Sequence, residues 1–115
     1  MPQSFEPDLL EFSSLDLLDF NQVSLIWDYD SFILYEGEQE KTIKPIAEKW
    51  EDFWLKIKKL NAWGWQGEYK DNSTLDGETW SLHIIYNDNE INCSGSNKYP
   101  EGFKEFRKLL KLLIS

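Results

Sequence analysis

The stretch from Glu78 to Tyr86 alternates without a break: Trp80, Leu82, Ile84 and Tyr86 on one parity, Thr79, Ser81, His83 and Ile85 on the other. A period of two held that long requires a strand with one buried and one wetter face. Such a strand is stable only when neighbours complete a sheet and something covers its apolar side. The flanking sequence supplies the neighbours. Asn87-Asp88-Asn89 tolerates left-handed backbone and turns the chain, and Glu90 to Ser94 returns with Ile91 and Cys93 alternating against Asn92. Upstream, Trp63, Trp65, Gly67 and Tyr69 share one parity against Gly64, Gln66 and Glu68, which predicts another strand. The polar run from Lys70 to Gly77 is a loop.

Two helices supply the cover. Between Lys44 and Leu60, Ile46, Trp50, Phe53, Trp54, Ile57 and Leu60 fall on one helical face, while Leu55 points away from it. Pro45 fits the first turn, and acids early with lysines late suit the helix dipole. Gly95 ends the returning strand and Pro100 opens a last helix. Its buried face is Phe103, Phe106, Leu109, Leu110 and Leu113, with Lys104, Arg107, Lys108 and Lys111 in water. Near the start, Val23, Leu25 and Trp27 lead through Asp28-Tyr29-Asp30-Ser31 to Phe32–Tyr35, and Gly37 follows. That reads as a hairpin over 22–36, with one long bent strand as the alternative. The order β-β-α-β-β-β-α implies a single-domain α+β fold, an antiparallel sheet of about five strands with both helices on one face. Residues 21–115 make that domain and residues 1–20 an acidic N-terminal arm.

The arm contains an echo, Asp8-Leu9-Leu10-Glu11-Phe12 and Asp16-Leu17-Leu18-Asp19-Phe20, too brief for a repeat protein. It suits a short amphipathic helix or an extended arm lying on the domain, and it also has the form of an interaction motif that folds against a groove. The chain has 115 residues and a net charge of -9, and the charge is unevenly placed. Ten acids precede the first base, Lys41, and the other eleven share residues 41–115 with all twelve bases. An acidic surface repels nucleic acid and anionic membranes, and it suits a basic protein partner. Asp8, Glu11, Asp16, Asp19, Asp28 and Asp30 are the candidate partner-binding residues. The same acids also serve solubility. No basic start leads into an apolar run, and no apolar run reaches about 20 residues, so a cytoplasmic protein is expected. The sequons at Asn72 and Asn92 then carry no meaning, and a single Cys93 forms no intramolecular disulfide.

Catalytic material is sparse. A nucleophile needs a base and an orienting group, and Cys93, Ser94, Ser96 and His83 are all there is. Lone cysteines are most often buried small hydrophobes. One His and one Cys fall short of a zinc site, no acid run has calcium-loop spacing, and no cofactor is expected. Asp76-Gly77-Glu78 reads as a turn. Gly95-Ser96-Asn97 lacks the repeated glycines and lysine of a phosphate loop and reads as a helix cap.

Taken together, W-x-W-x(3)-Y, D-G-x-x-W and G-S-N-x-Y-P-x-x-F resemble the motifs of a group of small bacterial proteins without an assigned activity. The residues are Trp63, Trp65, Tyr69, Asp76, Gly77, Trp80, Gly95, Ser96, Asn97, Tyr99, Pro100 and Phe103. The resemblance spans about Trp50 to Leu113 and implies a bacterial α+β domain and no chemistry. The functional expectation is a non-catalytic protein-interaction module, of the kind an acidic inhibitor or immunity protein represents. The alternative is a small-ligand or carbohydrate-binding domain using exposed Trp63 and Trp65, and an enzyme built on His83 ranks third.

Overall fold

A computed structural model describes residues 5–16, 21–70 and 77–115. Seven strands form one sheet: β1 (Leu9–Asp16), β2 (Asn21–Asp28), β3 (Ser31–Glu36), β4 (Gln39–Ile43), β5 (Gln66–Lys70), β6 (Glu78–Tyr86) and β7 (Asn89–Ser96). Their order is β4-β3-β2-β1-β6-β7-β5, antiparallel throughout except that β5 runs parallel to β7. Two helices, α1 (Ala47–Lys59) and α2 (Phe103–Leu113), complete the fold. The shortest principal axis measures 19 Å, the depth of one sheet and one helical layer.

The sheet has seven strands where about five were expected, and the two extra ones escaped notice for different reasons. Leu9–Asp16 was expected to be an arm on the domain, yet β1 is the middle strand, paired with β2 on one side and β6 on the other. Leu10, Phe12 and Ser14 are buried, and the residues between them are not. The acids and serines on that strand disguised an ordinary alternation. β4 carries Gln39, Glu40, Lys41 and Thr42, all exposed. An edge strand is best kept polar, because charge there deters pairing with another chain.

One face of the sheet is packed. Register aligns Leu34, Leu25, Phe12, Leu82 and Cys93 across five strands, with Leu10, Ile84 and Ile91 in the adjoining row. Both helices cover this face. From α1, Trp50 packs edge-on to Trp27 and stacks on Phe32, with ring centroids 5.1 and 5.3 Å away. From α2, Phe103 and Phe106 reach Phe12, and Phe103 also meets Trp80 at 4.4 Å. Trp54 lies flat on Tyr86 at 4.0 Å and donates from Nε1 to the carbonyl of Phe5, which ties the start of the chain to α1.

Element boundaries differ from the expected ones where one residue changes the backbone. Helix α1 begins after Ile46, which is extended and 60% exposed, so Ile46 leaves the apolar stripe and Pro45 precedes the helix. Asn61 adopts φ 57 and sends Ala62–Gly64 into a short 3-10 turn, so the expected strand starts at Gln66, after both tryptophans. Helix α2 is entered through Gly102 at φ 88, without a side-chain cap. Ser96 and Asn97 therefore do not cap it, and Gly95 and Ser96 belong to β7.

Candidate functional site

Two places hold polar side chains in an arrangement that invites a role. The first lies where β6, β1 and α2 converge. Glu78 opens β6 on the same parity as Trp80 and Leu82, so its carboxylate points into the packed layer. Arg107 follows Phe103 by one helical turn and points at it from above. The two form a bidentate fork: Nη1 donates to Oε1 at 2.8 Å and Nη2 to Oε2. Tyr99 Oη donates to Oε1 at 2.6 Å and the buried Ser14 hydroxyl to Oε2. The guanidinium also lies 5.5 Å from the Phe12 ring centroid and 5.6 Å from that of Phe103. Below them, Asn97 N donates to Glu78 O and Glu78 N donates to Asn97 Oδ1, both at 3.0 Å.

This is a staple rather than a catalytic carboxylate. Burial raises the Glu78 pKa, but the hydrogen bonds from Arg107, Ser14 and Tyr99, with the arginine charge, outweigh it and the net shift is downward. Four donors fill the carboxylate's lone-pair directions, so it has no free one with which to take a proton from a substrate. Burial and the Glu78 bond push Tyr99 up to about 12, which keeps its hydroxyl a donor. Sequence reasoning placed Glu78 in a turn and Arg107 in water. Each lies on the apolar parity of its own element, and that was the available signal.

The second place is the opposite face of the sheet, which nothing covers among the described residues. Two rows of side chains cross it: Tyr35, Ser24, Ser13, Ser81 and Ser94, then Ile33, Ile26, Glu11, His83 and Asn92. Ser13 and Ser81 hydroxyls are 2.6 Å apart, and His83 Nε2 bonds Glu90 Oε2 at 2.7 Å. At one end of this face the β2–β3 and β6–β7 turns and the start of β1 form a rim bearing Asp28, Asp30, Asp88 and Asp8. Tyr29 projects from it, 93% exposed at φ 64, with Asp30 N bonded to Asp28 O at 2.7 Å. That is a tight three-residue turn of the strained, positive-φ kind.

The six candidate acids therefore divide. Asp8, Asp28 and Asp30 share the rim, Glu11 stands mid-face, and Asp16 lies on the packed parity at the far end, paired in register with Glu78. Asp19 lies outside the described residues, as does Asp76. His83 and Cys93 do not meet, because His83 is on the bare face while Cys93 is buried opposite Leu82. Burial pushes the Cys93 thiol up to about 11. Trp65 is 6% exposed against Phe103 and Phe106, and Trp63 is half-buried and stacked on Trp54. Among the described residues no group of three or more His, Cys, Asp or Glu side chains could hold a metal, and no helix is long and apolar enough to cross a membrane.

No family model, curated protein or solved structure matches this chain. Five of the residues behind the motif resemblance pack together. Tyr69, Trp80, Tyr99 and Phe103 stack in series, and Trp80 Nε1 donates to Lys98 O at 3.0 Å over Gly95. A Cβ on Gly95 would stand 2.4 Å from that nitrogen, so the glycine is required by the tryptophan.

Proposed function

We propose that this chain is a non-catalytic protein-interaction module that receives a basic partner, as an acidic inhibitor or immunity-like protein does. The observation that carries the reading is the separation of charge. The half-buried carboxylate of Glu78 is saturated by its own chain, whereas Asp8, Glu11, Asp28 and Asp30 stand exposed around a bare sheet face and a projecting tyrosine. Exposed aromatic residues amid complementary charge are what protein interfaces use for anchoring and steering. A bacterial, cytoplasmic setting belongs to the same reading. The test is calorimetric titration with a peptide alternating arginine and leucine. Binding at low salt that weakens as salt is added is expected; a flat titration at low salt overturns the proposal.

One observation favours a second reading, a small-ligand domain. An open groove of about 520 Å³ runs beside Trp65, Tyr69, Pro100 and Gly102. Quenching of tryptophan fluorescence by simple sugars supports it, and unchanged emission at saturating sugar removes it.

A further inference from the structure

We infer that the bare face of the sheet is the docking surface for the basic partner, with Glu11 as its central anchor for an arginine side chain; this rests on the reading of the chain as an acidic interaction module.

β1 is the fourth of seven strands, and Glu11 projects from its middle, flanked across the strands by Ile26 and His83. Two other acids on this face already have side-chain partners, Glu90 hydrogen-bonded to His83 and Glu68 paired with Lys70 at 3.0 Å. No basic side chain lies within ion-pair distance of Glu11 among the described residues. The face thus carries one unmatched carboxylate at its centre. The serine row keeps the surface low beside Glu11, and Ile26 and Ile33 form an apolar bank along it. A long side chain with an apolar stem and a planar charged fork fits that step: the stem lies on the isoleucines and the guanidinium meets the carboxylate through two bonds.

Two other occupants fit less well. A second copy of the chain would bring net charges of -9 together and set acidic faces against each other. An anionic membrane meets the same repulsion. Size also points to a protein. At about 4.8 Å between strands and about 3.3 Å per residue, the sheet face measures roughly 800 Å², about one side of a standard interface. A partner of ordinary size therefore spans the face out to the rim, where Tyr29 stands.

The experiment is an amide-detected NMR titration with the arginine–leucine peptide and with a lysine–serine peptide of equal charge. The proteins are wild type, Glu11→Gln, Glu11→Lys and the double variant Asp28→Asn, Asp30→Asn. The inference expects shift changes centred on β1, β2 and β6 with the arginine peptide, and weaker binding of the lysine one. Glu11→Lys should weaken binding by about tenfold or more and Glu11→Gln by about fivefold, while the rim variant changes it by less than about threefold. The near-isosteric glutamine keeps the test valid if the lysine variant folds poorly. Binding that maps to the rim and ignores both Glu11 variants overturns this inference and leaves the interaction module standing. No binding of either peptide removes both. Self-association by sedimentation, with the same face perturbed, replaces the basic partner with a second copy.

Discussion

Glu78 and Glu11 sit on opposite faces of one sheet, and their surroundings could hardly differ more. Glu78 is held by Arg107, Tyr99 and Ser14, with the arginine lying over two phenylalanine rings, while Glu11 faces solvent with serine and isoleucine beside it. The contrast shows how one strand pattern produces two kinds of surface. Parity sends a residue to one face or the other, and only the face that receives helices must satisfy every polar group placed on it. On the packed face Glu78 is answered by its own chain, and the Trp50 indole N–H is the one buried side-chain donor without a partner among the described residues; nothing among those residues covers the other face.

The largest effects are expected from damage to the packed face. Ile84→Ala should cost about 3–4 kcal/mol in urea unfolding, because Ile84 is fully buried in mid-sheet. Ile26→Ala on the bare face should cost under about 1 kcal/mol. Equal losses would mean that the bare face is covered in solution. Next in size, Arg107→Ala should cost about 2–3 kcal/mol by leaving Glu78 unpaired, less than for a fully buried pair because Arg107 is one-third exposed. Gly95→Ala should cost about 1–3 kcal/mol, since Trp80 or the Lys98 carbonyl must move.

Titration extends the contrast. The folded pKa of Glu78 lies below its unfolded value of about 4.3, so its contribution is present above that pH and is lost as pH falls through the folded value. Glu78→Gln should therefore flatten the acid limb of the stability curve. Tyr99 behaves in the opposite sense. Its contribution is full below pH of about 10 and is lost as pH rises towards about 12, and Tyr99→Phe should remove that alkaline dependence. The smallest effect concerns Cys93, whose thiol should react with a thiol reagent only on global unfolding, at a rate unaffected by His83→Ala. Fast labelling that slows in the histidine variant would bring the two residues back together.

Much of the packed face was legible beforehand. Glu78–Tyr86 and the stripes of α1 and α2 announce themselves through large apolar residues at fixed spacing. β1 did not, because its outward acids and serines made Leu9–Asp16 look like a detached acidic segment. The candidate acids were readable as charge but not as places. Asp16 and Glu11 are five residues apart on the same strand, yet opposite parity puts one beside Glu78 and the other on open surface. The interior polar staple was missed because a glutamate after Asp76-Gly77 and an arginine among lysines both look like surface residues when neighbours in space are unknown.

Local periodicity therefore determined which stretches become strand or helix and which side of each is apolar, since both follow from backbone geometry within a few residues. Strand order was beyond its reach. That β1 sits at the centre, that Arg107 meets a carboxylate twenty-nine residues away, and that one sheet face stays bare among the described residues depend on contacts between distant segments. Those contacts are fixed by packing the whole chain at once, and no window of the sequence contains them.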